Sequence, residues 1–275
     1  GWRGARPAAA AATPGARPRR RVSGPQDRLE DRLEDRPPPL PGRVLMSQDW
    51  CDLAFLHWAV DPDRVRPLLP PGVEPDLLDG RTYVGLVPFT MVGAGPGRDH
   101  PVPWLGTFLE TNVRLYSRDR QGRPGVVFRS LDCDRLGVVL GARAGFGTPY
   151  RWARMRHDVL PHPEGVRHHW ASRVRWPHEG AADPSTRIDL VVGGRRTPTE
   201  LDVFLTARWA LHTTVAGRPL YIRNSHDPWP LHDARLLDLD DGLVAAAGLP
   251  GVTDHAPDHV AFSPGVHTRF AFPRR

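Results

Sequence analysis

The segment CDLAFLHWAV, residues 51–60, constrains the fold most. Read as a strand, it sets Leu53, Phe55, His57 and Ala59 on one face and Ala54, Leu56, Trp58 and Val60 on the other. Both faces are apolar, as in strands that are covered on both sides. The segments around it carry the punctuation of an antiparallel β protein with a few helices. RTYVGLVPFTMV (81–92) reads as a strand, and GAGPGRDHPVP after it as a loop. Residues 108–132 read as a long hairpin turning at SRDRQGRPG, strands are expected around 167–176 and 187–193, WALHTTVAGRPLYIRNSHDPWPL is a hairpin turning at Gly217, and VHTRFAF is the final strand.

Three helices are expected. Asp61 caps a short one that has Pro62 at its first position and ends at Pro70, Pro71 and Gly72. Asp134 caps a second, with Leu136, Val139, Leu140 and Ala144 on one face and Gly145, Gly147 and Pro149 closing it. Thr199 caps the third, whose apolar face is Leu201, Phe204 and Leu205. No period of the length used by solenoids and propellers repeats.

Charge first suggests nucleic acid, since the 275 residues carry a net +6. Residues 1–45 hold ten arginines against five acids, however, so they account for +5 and leave residues 46–275 at +1. A nearly neutral domain is a poor binder of phosphate backbones. Residues 1–45 are rich in Ala, Pro and Arg and are expected to be a disordered tail, while residues 46–275 form a single domain. The first methionine is Met46, so translation is expected to begin near it. Nothing near Arg19 and Arg20 supplies the apolar stretch of an export signal, and no apolar run approaches the ~20 residues that span a bilayer. Cys51 and Cys133 match no disulfide or metal spacing, and a cytoplasmic location is expected.

All 37 basic side chains other than histidine are arginine, because the chain contains no lysine. Schiff-base chemistry therefore has no amine to use. GxSxG, HExxH and the phosphate-binding loops are absent, and GAGPG at 93–97 lacks a βαβ setting. Adjacent His168 and His169 point to opposite faces of a strand, and His226 with His232 gains no third ligand by spacing, so no metal and no cofactor are expected.

FLETNVRLY (108–116) holds the chemistry. Leu109, Thr111, Val113 and Leu115 share one face; Phe108, Glu110, Asn112, Arg114 and Tyr116 share the other. Glu110 and Arg114 lie roughly 13 Å apart along the strand, too far to pair, so each needs a partner from elsewhere. Cross-strand ion pairs on a wet sheet would explain them; a pocket for a carboxylate or carbonyl compound would do so equally.

Taken with DWCDLAFLHWAVDPDRVRPLLPPGVEPDLLDGRTYVGLVPFTM, RPGVVFRSLDCDRLGVVLGARAGFGTPYRWARM, ELDVFLTARW and SHDPWPLHDARL, this block resembles the YqjF-like family, domain of unknown function 2071, related to the acetoacetate decarboxylase-like superfamily. The resemblance covers roughly residues 47–270. It implies a mainly β (α+β) fold: a twisted antiparallel β-barrel or sandwich with a central cavity and a few short helices. It aligns Tyr150, after Pro149, with the superfamily's Schiff-base lysine, and Glu110 with its cavity acid. Asn112, Arg114, Tyr150, Arg208 and the pair His226 and Trp229 match the family's own blocks. Glu110 and Tyr150 are thus the candidate catalytic residues, and Asn112, Arg114, Arg208, His226 and Trp229 the candidate ligand-binding ones, although His226 to Trp229 would serve equally to shape a turn and fill core.

The expected function is binding of a small carboxylate or carbonyl compound in the cavity. The alternative is a lysine-independent lyase or hydrolase-like enzyme that uses Glu110 as acid/base. The expected partner is a small molecule and neither nucleic acid nor membrane, with self-association left open.

Overall fold

In the computed structural model, residues 36–98, 100–177 and 184–271 are described. Residues 1–35 of the expected tail lie outside them. The strands are β1 (Val44–Val60), β2 (Val73–Pro75), β3 (Thr82–Pro96), β4 (Phe108–Asp119), β5 (Pro124–Cys133), β6 (Tyr150–His162), β7 (Gly165–Trp176), β8 (Ser185–Arg195), β9 (Ala210–Val215), β10 (Arg218–Ser225), β11 (His232–Asp241) and β12 (His259–Ala271). The helices are α1 (Pro62–Val65), α2 (Leu136–Phe146), α3 (Glu200–Thr206) and α4 (Leu243–Ala246). None of the described helices is long and apolar enough to cross a membrane.

The strands form one twisted sheet in the order β10-β9-β5-β6-β7-β8-β11-β12-β1-β3-β4-β2, with further pairings β5–β4 and β10–β12. Those extra pairings close the sheet twice. One ring runs β5-β4-β3-β1-β12-β10-β9 and back to β5; the other leaves β5 through β6, β7, β8 and β11 to reach β12. Strands β12, β1, β3, β4 and β5 belong to both, so the architecture is not a simple barrel. Pairing is antiparallel except where β5 meets β6 and where Val126 of β5 meets Leu211 of β9.

The shared wall explains the doubly apolar strand. Leu56 and Trp58 of β1 join Leu86, Val113, Leu115, Trp170, Ile188 and Leu190 in the main core, whereas Leu53 and Phe55 join Val87, Phe89, Met91, Phe108 and Trp229 on the other side. Burial of both faces is what makes such a strand favourable, at roughly 25 cal/mol per Å² of apolar surface.

Thr199 caps α3 as expected, in a reciprocal capping box with Asp202, and Phe204 and Leu205 are buried. Asp61 caps α1. The second helix differs from expectation. It starts after Arg135 with no side-chain cap, because the Asp134 carboxylate instead accepts from the Leu109 amide (3.1 Å) and the Arg135 guanidinium (2.9 Å). Of its expected inner face only Val139 is buried; Leu136 and Leu140 are exposed. Gly93 to Pro96, read as loop, continue β3. Glycine and proline signalled a break there, but Gly95 reflects a close approach: a Cβ would lie within 2.6 Å of the His100 carbonyl carbon. Strand β6 escaped notice because Arg151, Arg154, Arg156 and Asp158 and the exposed Val159 to Pro161 obscure any apolar alternation, and β12 starts seven residues earlier than VHTRFAF, at His259 rather than Val266.

Gly265 sits opposite Cys51 with φ near +134°, and a Cβ there would meet the Trp50 carbonyl oxygen at 2.1 Å. Gly265→Ala is expected to cost more than about 1 kcal/mol, read as a lowered urea midpoint at unchanged slope; an unchanged midpoint would show that the β1–β12 wall yields.

Candidate functional site

Inside the first ring lies a cavity of about 480 Å³. Strands β1, β3 and β4 wall it, α2 lies along it through Gly137, Val138 and Ala142, and Ala94 to Pro96 with Val102 to Gly106 complete it. The polar side chains on its surface are Gln48, Glu110, Asn112, Arg114, Thr148 and Tyr150; the rest of the lining is almost wholly apolar. The polar face of FLETNVRLY therefore points inward, while Val113 and Leu115 of the same strand enter the main core.

Glu110 is 3% exposed, stands opposite Cys133 on β5 and faces no guanidinium. Desolvation raises its pKa to about 7, although hydrogen bonds from Tyr150 and Asn112 pull the other way. The Tyr150 hydroxyl donates to Glu110 Oε2 at 2.8 Å. Burial, and then the neighbouring Glu110 charge, push the Tyr150 phenol well above its ordinary range, so it stays a donor. Asn112 is 4% exposed; its amide donates to Glu110, and its Oδ1 is buried without a partner. A buried amide oxygen left so costs of order 1–3 kcal/mol unless something donates to it.

Arg114 is half-buried. Its Nε donates to the Tyr116 hydroxyl (3.0 Å), one terminal nitrogen donates to the Leu205 carbonyl (3.0 Å), and the guanidinium lies 5.5 Å from the centroids of Phe55 and Tyr116. No carboxylate pairs with it among the described residues. Its hold on position runs deeper, through His57 and His259. Tyr116 Oη lies 2.6 Å from His57 Nε2, His57 Nδ1 lies 2.9 Å from His259 Nδ1, and His259 Nε2 lies 2.7 Å from Asp202 Oδ1. The Asp202 carboxylate can only accept, so His259 carries its proton on Nε2 and, when neutral, accepts at Nδ1. His57 then donates from Nδ1 and accepts the Tyr116 proton at Nε2. Burial, then repulsion from His259, Arg114 and Arg208, hold the His57 pKa well below its ordinary value and keep that acceptor available. Burial alone would raise the Asp202 carboxyl, but hydrogen bonds from His259 and Thr199 outweigh it and hold Asp202 ionised. With His259 neutral, every donor in the chain points from Arg114 towards Asp202; Arg196 contacts both Asp202 and His259 Nε2.

Five of the sequence candidates meet at the cavity: Glu110, Asn112, Arg114, Tyr150 and Trp229. Trp229 contributes its ring, since its indole N–H is taken by the Thr206 carbonyl at 3.1 Å. Arg208 and His226, also expected as ligand contacts, do not line this cavity. Arg208 is buried against Asp76 (2.5 Å), donates to the Phe204 carbonyl and lies over Phe204. His226 bonds its own neighbour's carbonyl, Asp227, at 2.7 Å and packs among Trp50, Trp209 and Trp229; burial lowers its pKa to about 4. Sequence reading missed His57, His259, Asp202 and Asp76. The signal for His57 was present, as a histidine on an otherwise apolar strand face, but its partner lies 202 positions away. His168 and His169 do face apart, one stacking on His157 and the other bonding Asp189, and no group of three or more ligating side chains could hold a metal among the described residues.

The model of the DUF2071 family, described as an uncharacterized conserved protein, matches residues 47–267. Uncharacterized protein YqjF of Bacillus subtilis (strain 168) is 32% identical over 193 residues, 70% of this chain and 77% of that protein. Among solved structures, an acetoacetate decarboxylase-like enzyme from Sphingomonas wittichii RW1 superposes with a TM-score of 0.54 at 16% identity, covering 86% of this chain and 94% of that one. The enduracididine biosynthesis enzyme MppR complexed with pyruvate gives 0.53 at 17% identity, covering 86% and 91%. At such identities these structures show the fold, which is acetoacetate decarboxylase-like.

Two outcomes follow from the geometry. The folded state holds the Glu110 proton up to about pH 7, against 4.5 for a free carboxyl. The stability it contributes is complete below pH 4.5 and is lost as pH rises through 7. Glu110→Gln should therefore gain on the wild type by up to roughly 3 kcal/mol between pH 4 and pH 8 in urea titrations, whereas a constant difference would exclude a raised carboxyl. Asp132, raised by burial to about 6, contributes with the same sign in both proteins and largely cancels. In Gly85→Ala the new Cβ would meet His57 at 2.9 Å and Arg114 Cγ at 3.2 Å. It should cost roughly 1–3 kcal/mol by the same assay, and a neutral result would mean that the His57 contact is loose.

Proposed function

We propose, from the premise that this chain belongs to the DUF2071 family, that its cavity receives a carboxylate or carbonyl compound whose negative end lies against Arg114. The observation that carries this reading is a guanidinium facing an apolar cavity with no carboxylate paired to it among the described residues. Such a cation is costly to desolvate, and an anionic ligand offsets that cost by charge-assisted hydrogen bonds. Asn112 Oδ1, buried and unpartnered, supports the same reading from the ligand's hydrogen-bonding side. The free thiols of Cys51 and Cys133 support a reducing compartment, and we place the protein in the cytoplasm on that ground.

A second reading, acid–base catalysis by Glu110, is favoured by its raised pKa near 7 without an ion pair, which suits a group that exchanges protons at neutral pH. In that reading the carboxylate takes a proton from the carbon next to the ligand's carbonyl. The C–H bond breaks, an O–H bond forms on Glu110, and the electron pair moves to the carbonyl oxygen as an enolate. Returning a solvent-exchanged proton to the same carbon closes the cycle with no further reactant. Imine chemistry plays no part, since the chain has no lysine. The structural neighbour complexed with pyruvate suggests the first probe.

Thermal-shift titration with pyruvate and other keto and hydroxy acids should raise the melting temperature of the wild type and leave Arg114→Ala unmoved. A shift that survives the substitution would overturn the clamp. For the catalytic reading, incubation of a bound keto acid in deuterium oxide should exchange its α-protons, and Glu110→Gln should abolish the exchange; a wild type that exchanges no bound acid is a binder.

A further inference from the structure

The size and surface of the cavity point beyond the carboxylate head, and the inference rests on the reading of Arg114 just given. About 480 Å³ lies within the range of sites for drug-sized ligands, roughly 300–1,000 Å³. A three-carbon keto acid would touch only the polar strip and leave most of the wall wet. That wall is apolar: Met46, Leu53, Phe89, Met91, Val102 and Leu105 all face the space. Water held against such a surface is displaced favourably by hydrocarbon.

The strip is also specific about what it lacks. Glu110 has donors in Tyr150 and in the Asn112 amide, and Arg114 offers a cation without a counter-ion. Asn112 Oδ1, between them on β4, is an acceptor in a residue 4% exposed and has no donor. One ligand chemistry satisfies all of these: a carboxylate for Arg114, an O–H a short distance along the molecule for Asn112 Oδ1, and an extended apolar body against the wall.

We infer that the cavity takes a medium-chain or aryl-substituted hydroxy acid, or the enol of the matching oxo acid, held head-first on the Arg114–Asn112–Glu110 strip with its hydrocarbon against β1, β3 and the 94–106 segment. This is a different substrate class from a three- or four-carbon keto acid. A hydroxyl in place of an oxo group supplies the missing donor, and each methylene adds buried area without asking for a further polar partner.

The test is isothermal titration calorimetry of the full chain with a homologous series of straight-chain 2-hydroxy acids, from lactate to 2-hydroxydecanoate. The 2-oxo acids and the 1-alkanols of equal length serve as comparisons. The dissociation constant should fall about fourfold per added methylene over the first several members. Hydroxy acids should bind more tightly than oxo acids of the same length, and Arg114→Ala should weaken every acid while leaving the alkanols unchanged. Ala142→Trp, on the cavity side of α2, should cost the long acids affinity and spare lactate, provided its melting temperature matches the wild type. The wild-type series stands as the test if that variant does not fold. If lactate or pyruvate binds through Arg114 but length brings no gain, the apolar-body inference is wrong and the proposed carboxylate clamp survives. If length helps but Arg114→Ala changes nothing, the head-group assignment is wrong. If no member binds, both readings fall.

Discussion

A guanidinium held inside a protein by neutral groups is the constraint on which the site depends. Arg114 has phenol and carbonyl partners where a buried arginine ordinarily has a carboxylate. Arg208 supplies the contrast: it is buried where Arg114 is half-buried, and Asp76 takes its charge. Desolvating an unpaired cation is tolerable only where its neighbours are polarised towards it, and the chain from Tyr116 through His57 and His259 to Asp202 does this. Each member donates away from Arg114, so each oxygen or nitrogen nearer to it is left richer in electron density. In the neutral-His259 arrangement the chain turns Tyr116 Oη into an acceptor towards Arg114 without a carboxylate entering the cavity. Had Asp202 stood where Tyr116 stands, Arg114 would be an ion pair and its charge would be spent.

The double closure of the sheet makes such an arrangement possible. β4 is a wall between two interiors, so one strand contributes Val113 and Leu115 to a core and Glu110, Asn112 and Arg114 to a cavity. β1 does the same with Leu56 on one side and Leu53 on the other. His57 belongs to this geometry as well. It sits across from Gly85 on β3, whose missing side chain leaves room for the imidazole to approach Arg114.

Much of this was legible in the chain. The alternation in CDLAFLHWAV required cover on both faces, and FLETNVRLY separated its polar set from its apolar set correctly because period-two patterning is local. The capping box at Thr199 was legible for the same reason. Partners set by long-range closure were not. Asp76 meets Arg208 across 132 positions, and His57 meets His259 across 202, so no spacing rule links them. Glycine and proline in GAGP also misled: as breakers they signal a loop, yet here they permit a neighbouring segment to press on a strand that continues. The second helix failed on its inner face because it flanks a cavity, and the small side chains of Gly137 and Ala142 face that space where a core would demand large ones.

The two ends of the polar strip are electrically coupled, and the sign of the coupling bears on how the cavity would work. Glu110 near its pKa of about 7 is divided between neutral and charged forms at neutral pH. An anion seated against Arg114 adds negative charge roughly 10 Å from Glu110, which at an effective dielectric constant of ~20 is worth on the order of 1–2 kcal/mol. That raises the Glu110 pKa further, so binding an anion takes up a proton, and by reciprocity an ionised Glu110 weakens the anion's hold. A carboxylate whose pKa rises is the stronger base but is ionised in a smaller fraction of molecules, so a bound anion would move the pH range over which Glu110 could exchange a proton upward. Tyr150 and Asn112 oppose that rise, because each donates a hydrogen bond to the charged form. The polar strip thus sets two opposing electrostatic effects on one carboxyl group, and the seated anion shifts the balance between them.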